Sequence, residues 1–322
     1  VCSSDLSILL TAGTELLFVF LLLHPGEGLA SARAGMTLWL NTLLPTLLPF
    51  MILTGVLIHT KGIEKILSPL KPVFRFFLGT DVYGGYVFIL GMVCGYPMAA
   101  RFASDLYEAG RISRTEALYL TTFCSSASPV FIITYLGHLC LNNRIPVPVL
   151  FFILFSGNMA AMVIFRFAVF RNHKIFPSNV TKKAKPDTCY EKKETSEADS
   201  PGVILDVSIM NGFETITRLG GYILLFSILT GCIRYYRPFP ALIQYILLGI
   251  TEITTGLSLF ASADIPWTLR CVLSVTATGF GGLCILAQTR SILHKDLSLI
   301  PYLSAKCISG LLSGILMLCY LN

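Results

Sequence analysis

The chain has 322 residues, of which 54% are hydrophobic and only 13% are Asp, Glu, Lys or Arg, with a formal net charge of +6. Soluble domains carry about 25% charged residues, and 12 of the 42 charges here fall within residues 171–201. The rest cannot cover a water-facing surface, which excludes an ordinary soluble domain and leaves a polytopic membrane protein in a lipid bilayer.

A crossing helix needs about 20 apolar residues to span a hydrocarbon core about 30 Å thick. In chain order, the segments that qualify are 6–23, 36–58, 82–107, 117–140, 147–170, 213–236, 239–263, 267–288 and 298–321. The first reads as a span rather than a signal peptide, since no basic stretch precedes it and no small-residue cleavage site follows. Residues 82–107 contain Gly91, Gly95 and Pro97, then run into Arg101 and Asp105. Residues 239–263 carry Gly249, Glu252, Thr254, Thr255 and Gly256 in the middle. Interrupted backbone at membrane depth is tolerated only where protein or water covers it, so both segments are expected to be re-entrant hairpins or broken helices. Residues 172–201, rich in Lys, Glu, Ser and Pro, are expected to form a disordered linker.

The linker separates two related halves. Residues 34–58 align with 210–234, sharing Ile52-Leu53-Thr54-Gly55 and Ile228-Leu229-Thr230-Gly231. Phe102-Ala103-Ser104 matches Phe260-Ala261-Ser262, and the stretch from Ile112 aligns with that from Ile265. With 82–107 and 239–263 as hairpins, loops 59–81 (Lys61, Lys65, Lys71, Arg75) and 101–116 (Arg101, Arg111, Arg114) share one face with the linker and loop 289–297. The corresponding loops of the second half fall on the other face, so basic-loop counting gives an inverted repeat. Inverted repeats with interrupted helices are characteristic of secondary transporters.

Such transporters place substrate between half-helix ends near the midplane. Four stretches meet that demand, two per half: Gly95-Tyr96-Pro97-Met98, Ser125-Ser126-Ala127-Ser128-Pro129, Glu252-Ile253-Thr254-Thr255-Gly256 and Thr278-Gly279-Phe280-Gly281-Gly282. The bland alternative for any one of them is close helix packing through small residues. Glu252 is the most informative single residue, because a carboxylate inside an apolar segment is costly and marks a substrate, ion or proton pathway. Glu116 fits a capping box with Ser113. Lys306, in the middle of its segment, has three open roles: pairing with a substrate carboxylate, pairing with Glu252, or snorkelling to an interface. Gln288, at the end of its segment, is a possible hydrogen-bonding residue for a ligand. Arg166 lies near enough to its helix end to snorkel.

Enzymatic signatures are missing: the glycine clusters precede no Gly-Lys-Ser/Thr, the five histidines have no metal spacing, and the serine cluster has no nearby base. No Lys/Arg cluster alternates with aromatics, so no nucleic-acid partner is expected. Eight of the ten cysteines lie in or beside apolar segments as small hydrophobes. No catalytic residue, metal or cofactor is expected, and any active transport needs a coupling ion such as H+ or Na+, or a partner protein.

PGEGLASARAGMTLWLNTLLPTLLPFMILTGVLI at 25–58, GMVCGYPMAARFASDLYEAGRIS at 91–113, FCSSASPVFI at 123–132, GITEITTGL at 249–257 and GFGGLCILAQ at 279–288 resemble the YlbJ (SpoVV) family of sporulation integral membrane proteins, which carry the nucleoside-recognition gate domain. The resemblance implies an all-α fold similar to the core of concentrative nucleoside transporters. It divides the chain into an N-terminal transmembrane segment (1–24), a first gate repeat (25–171), a cytoplasmic linker (172–201), a second gate repeat (202–297) and a C-terminal transmembrane helix (298–322). It further implies transport of a small organic anion, dipicolinic acid, out of the mother cell across the outer forespore membrane, with Tyr96 or Phe280 available to stack on its ring. The rivals are a nucleoside substrate, which would need Gln288 or Glu252 facing the cavity, and a non-transporting sensor or assembly factor.

Overall fold

The structure is a computed structural model that describes residues 2–59, 67–170, 200–237 and 239–322. The linker expected at 172–201 lies outside the described residues up to 199, as do Lys61 and Lys65.

Among the described residues the protein is all-α. Helix α1 (Cys2–Leu23) is followed by α2 (Pro25–Leu38), which runs through π-helical Trp39–Leu43 into α3 (Leu44–His59). A short α4 (Lys71–Phe77) leads to α5 (Val82–Cys94) and α6 (Met98–Glu108). Helix α7 (Arg114–Cys124) is separated by four serine-rich residues from α8 (Pro129–Phe131), which continues as π-helix to Cys140. Helix α9 (Val147–Ile164) ends the first half. The second half comprises α10 (Pro201–Tyr236), α11 (Ala241–Thr251), α12 (Ile253–Ser262), α13 (Trp267–Phe280), α14 (Leu283–Ile292) and α15 (Ile300–Leu321).

Among the described residues, five segments are long and apolar enough to cross a membrane: Arg114–Cys140, Val147–Val169, Pro201–Tyr236, Trp267–Ile292 and Ile300–Leu321. The number reaches seven if two bent helix pairs near the N-terminus and at Ser68–Cys94 each count as one span. The chain is an integral membrane protein.

Both suspect segments fold back on themselves. Tyr86 on α5 and Phe102 on α6 lie with ring centroids 6.3 Å apart, although a continuous helix would separate positions 16 apart by about 24 Å. Likewise a Cβ on Gly249 of α11 would sit 2.7 Å from the ring of Phe260 on α12. These arms of 10 to 13 residues are roughly 15–20 Å long, too short to cross 30 Å singly.

Start signals are local. Ser113 caps α7 by accepting from Glu116 N at 3.1 Å, the expected capping arrangement. Ser200 caps α10 by accepting from Val203 N, with Pro201 at the first position. Neither α2 nor α10 begins where hydropathy places it, since both extend about eleven residues further towards their N-termini than 36 and 213.

Helix α10 packs along α2 and α3 through small residues. A Cβ on Gly35 would meet Ser227 Oγ at 2.5 Å, and one on Gly55 would meet Ser208 Oγ at 2.8 Å. Gly231 abuts Ser31 in the same way. Trp39 Nε1 donates to Ile216 O at 2.9 Å, its ring lying over Gly220. Small residues let backbones approach where no hydrophobic force drives helices together. Gly220→Val is therefore expected to displace Trp39, break that hydrogen bond and cost about 2 kcal/mol of packing stability, read as a lower unfolding temperature in detergent.

Loops of the two halves meet at each end of the bundle. Arg114 Nε donates to Asp296 O at 2.9 Å, and His294 N donates to Ser104 Oγ at 3.0 Å. Arg166, near its helix end, is half-buried and donates to Phe77 O, with its guanidinium against Gly79. At another junction the Arg144 guanidinium lies 5.1 Å from the Trp267 ring.

Candidate functional site

The four helix breaks fall at the four sequence stretches and converge. Gly95, at φ +82, lets the first hairpin turn, and a Cβ there would be 2.8 Å from Ser128. Its neighbour Tyr96 donates its backbone N–H to Ser126 O at 2.7 Å and its hydroxyl to Thr278 O at 3.4 Å. One tip thus touches both interrupted spans. Gly281 and Gly282, at φ +93 and +90, form the break between α13 and α14, a backbone that other residues adopt only with strain. Gly281 faces the Tyr96 ring, and Gly282 lies against Ile250 O and Ile253 N at the second hairpin tip.

Glu252 is that second tip. It is extended between two helices and 5% exposed. Its carboxylate accepts from Thr254 N at 2.9 Å, Thr255 N at 2.7 Å and Thr254 Oγ1 at 2.6 Å. The positive end of α12 attracts an anion, and the chain supplies its own.

A cavity of about 440 Å³ opens where the breaks meet. Of the expected residues, Gly95, Tyr96, Ser128, Glu252, Thr254 and Gln288 line it. Phe131 and Tyr135, stacked at 5.0 Å with 15° between planes, give it one flat wall. Phe50, Leu47 and Pro49 of α3 and Ile223 of α10 close another side. Gln288 donates to Cys284 Sγ at 3.1 Å, and its amide oxygen has no protein partner among the described residues. No Lys, Arg or His is among the lining residues.

The other expected residues stand behind the walls. Pro97 follows Tyr96 at the tip and is buried. Ser126 accepts from Asn158 Nδ2, and Thr255 serves the Glu252 cap. Thr278 bonds Ser274 O and receives the Tyr96 hydroxyl. Gly279 and Phe280 face α15, where a Cβ on Gly279 would be 2.9 Å from Gly310 Cα and one on Gly310 would be 3.2 Å from Phe280 Cβ. For these two the close-packing alternative describes their place, and of the two rings expected to stack on a solute only Tyr96 lines the cavity.

Lys306 neither snorkels nor pairs with Glu252, and it stands behind the residues that line the cavity. It is 1% exposed, so it does not snorkel, and it forms no ion pair among the described residues. Its ammonium donates to Ser125 O and, at 3.4 Å, to Asn158 Oδ1, and lies 5.7 Å from the Tyr96 ring centre. Asn158, 2% exposed on α9, also receives Ser309 Oγ at 2.9 Å. Sequence reasoning passed over Asn158, although an amide in the middle of an apolar span was a signal. Thr134 and Tyr135 gave no comparable signal.

A second cavity of about 420 Å³ lies between α3, α6 and α10, lined by Arg101, Asp105, Glu108, Arg111 and Asn211. It contains none of the expected site residues.

Residues 40–139, which include the first hairpin and the serine-rich break, match the family model described as Gate: Nucleoside recognition. The chain is 25% identical over 320 residues to the sporulation integral membrane protein YlbJ of Bacillus subtilis (strain 168), covering 91% of this chain and 77% of that protein. Both findings bear out the resemblance read from the sequence. No solved structure matches the chain.

Proposed function

We propose that this gate-domain membrane protein is a transporter, not an enzyme, that carries a small planar organic anion through the cavity during spore formation. The observation that carries the reading is the convergence of two helical hairpins and two interrupted spans on one cavity with a flat aromatic wall. Two halves related as inverted repeats would rock about that cavity, exposing it to each side in turn.

Dipicolinic acid is the substrate we favour, moved across the outer forespore membrane, because the likeness to a sporulation membrane protein gives the solute a context. Its planar ring can lie against the Phe131–Tyr135 wall. No basic side chain lines the cavity, so its charge falls to the helix N-termini at Pro129 and Leu283. Each presents about half a positive charge. Two such ends offset one carboxylate, and the Glu252 charge on the cavity wall opposes a second, so the singly protonated acid is the form carried, and H+ accompanies it.

One observation favours a nucleoside instead: Gln288 and Glu252 both line the cavity, where they can read a base edge. Uptake of labelled dipicolinate and of uridine by liposomes containing the purified protein separates the two. Saturable dipicolinate uptake is expected, with Gln288→Ala changing it less than about 3-fold. Uridine uptake, lost more than 10-fold in Gln288→Ala because a buried polar reader is removed, makes the substrate a nucleoside. Uptake of neither by folded protein points to a sensor or assembly factor.

A further inference from the structure

Lys306 carries its ammonium into the dry interior, behind the cavity wall, where the hydrogen bonds it makes go to oxygens. A buried charge is retained only with compensation, and here no carboxylate supplies it. The compensation is the Ser125 carbonyl, the Asn158 amide oxygen and the Tyr96 ring face. The serine carbonyl belongs to the break after α7, so the ammonium also sits at the negative end of that half-helix. Ser125 Oγ is buried with no hydrogen-bond partner. Ser309, one turn along α15 from Lys306, adds its hydroxyl to the same Asn158 oxygen.

A freed carbonyl, an amide oxygen, hydroxyls and a half-helix C-terminus are what secondary transporters use to hold a free coupling cation. We infer that Lys306 is a tethered cation: its ammonium fills, from α15, a monovalent-cation site built at the α7 break. The protein therefore needs no Na+ or K+ to hold that break together, and the tethered group cannot diffuse out of the site. The position also ties cation to cavity, because Asn158 and Ser126 are bonded to each other and Ser126 O holds the Tyr96 tip.

The inference rests on the transport reading only for its flux test; its binding test does not. Wild-type protein is expected to unfold at the same temperature in sodium, potassium or choline chloride, and its dipicolinate uptake is expected to be equal in all three. Lys306→Ala empties the site. Its melting temperature is expected to fall, then rise saturably by roughly 3 °C or more with Na+ or ethylammonium but not with choline, which is too large to enter. A wild-type protein that requires Na+ for stability or uptake overturns the inference. So does a folded Lys306→Ala protein that responds equally to every cation or to none. Where that variant does not fold, Lys306→Ser, which leaves the same space open and adds a hydroxyl, is read in the same way. Loss of uptake in the wild type, with the cation response of the variant intact, defeats the transport proposal and leaves the tethered cation standing.

Discussion

Glu252→Ala is expected to lower solute uptake roughly 100-fold while the protein still inserts in the membrane. The substitution leaves the Thr254 and Thr255 N–H groups and the Thr254 hydroxyl without their common acceptor. Each buried donor left unpaired costs about 1–3 kcal/mol, less where cavity water can reach it. The loss should be on the order of 3 kcal/mol, concentrated in a hairpin tip that touches the Gly282 break. Glu252→Gln keeps one carbonyl acceptor but gives up the charge that complements the α12 dipole, so it is expected to fall between, at about 10-fold. Liposome uptake together with a melting curve checks both. Wild-type uptake in Glu252→Ala would show that the tip does not depend on its carboxylate.

Gly256→Ala is the second large effect. A Cβ at this position would collide with the Gly249 backbone on the opposite arm, and backbone cannot turn aside as a long side chain can. Overpacking of this sort costs about 1–3 kcal/mol, and it is relieved only by spreading α11 from α12. Uptake is expected to drop about 10-fold as the tip moves off the cavity. Gly221→Ala is the control, since that glycine has open space around it. It should gain up to about 1 kcal/mol of helix stability and transport normally. Equal behaviour of the two variants would remove the hairpin from the mechanism.

The breaks were legible in the sequence because chemistry announces them. Gly95, Ser125–Ser128, Glu252 and Gly281–Gly282 are residue types that an uninterrupted apolar helix has no use for, and each marks a break in the structure. Helix starts were less legible. Residues 25–35 and 201–212 are too polar for a hydropathy window, yet Pro25, and Ser200 before Pro201, are start signals. The cavity wall was least legible of all. Phe131 and Tyr135 are four apart and so share one helix face, but nothing in their spacing assigns that face to a cavity rather than to lipid or core. Lys306 finds its partners on residues 148 and 181 positions away, a separation across which sequence alone assigns nothing.

The contacts of Arg114 with Asp296 and of His294 with Ser104 set a resting bias. They stitch the first half to the loop between α14 and α15 at one end of the bundle, and a conformer open at that end must break both. At about 1 kcal/mol each, the pair would contribute a factor of about 30 in favour of a conformer shut at that end in the proposed transport cycle. In that cycle a solute has to bind the open conformer correspondingly more tightly to offset that factor, which would give the proposed carrier, when empty, a default side on which it waits.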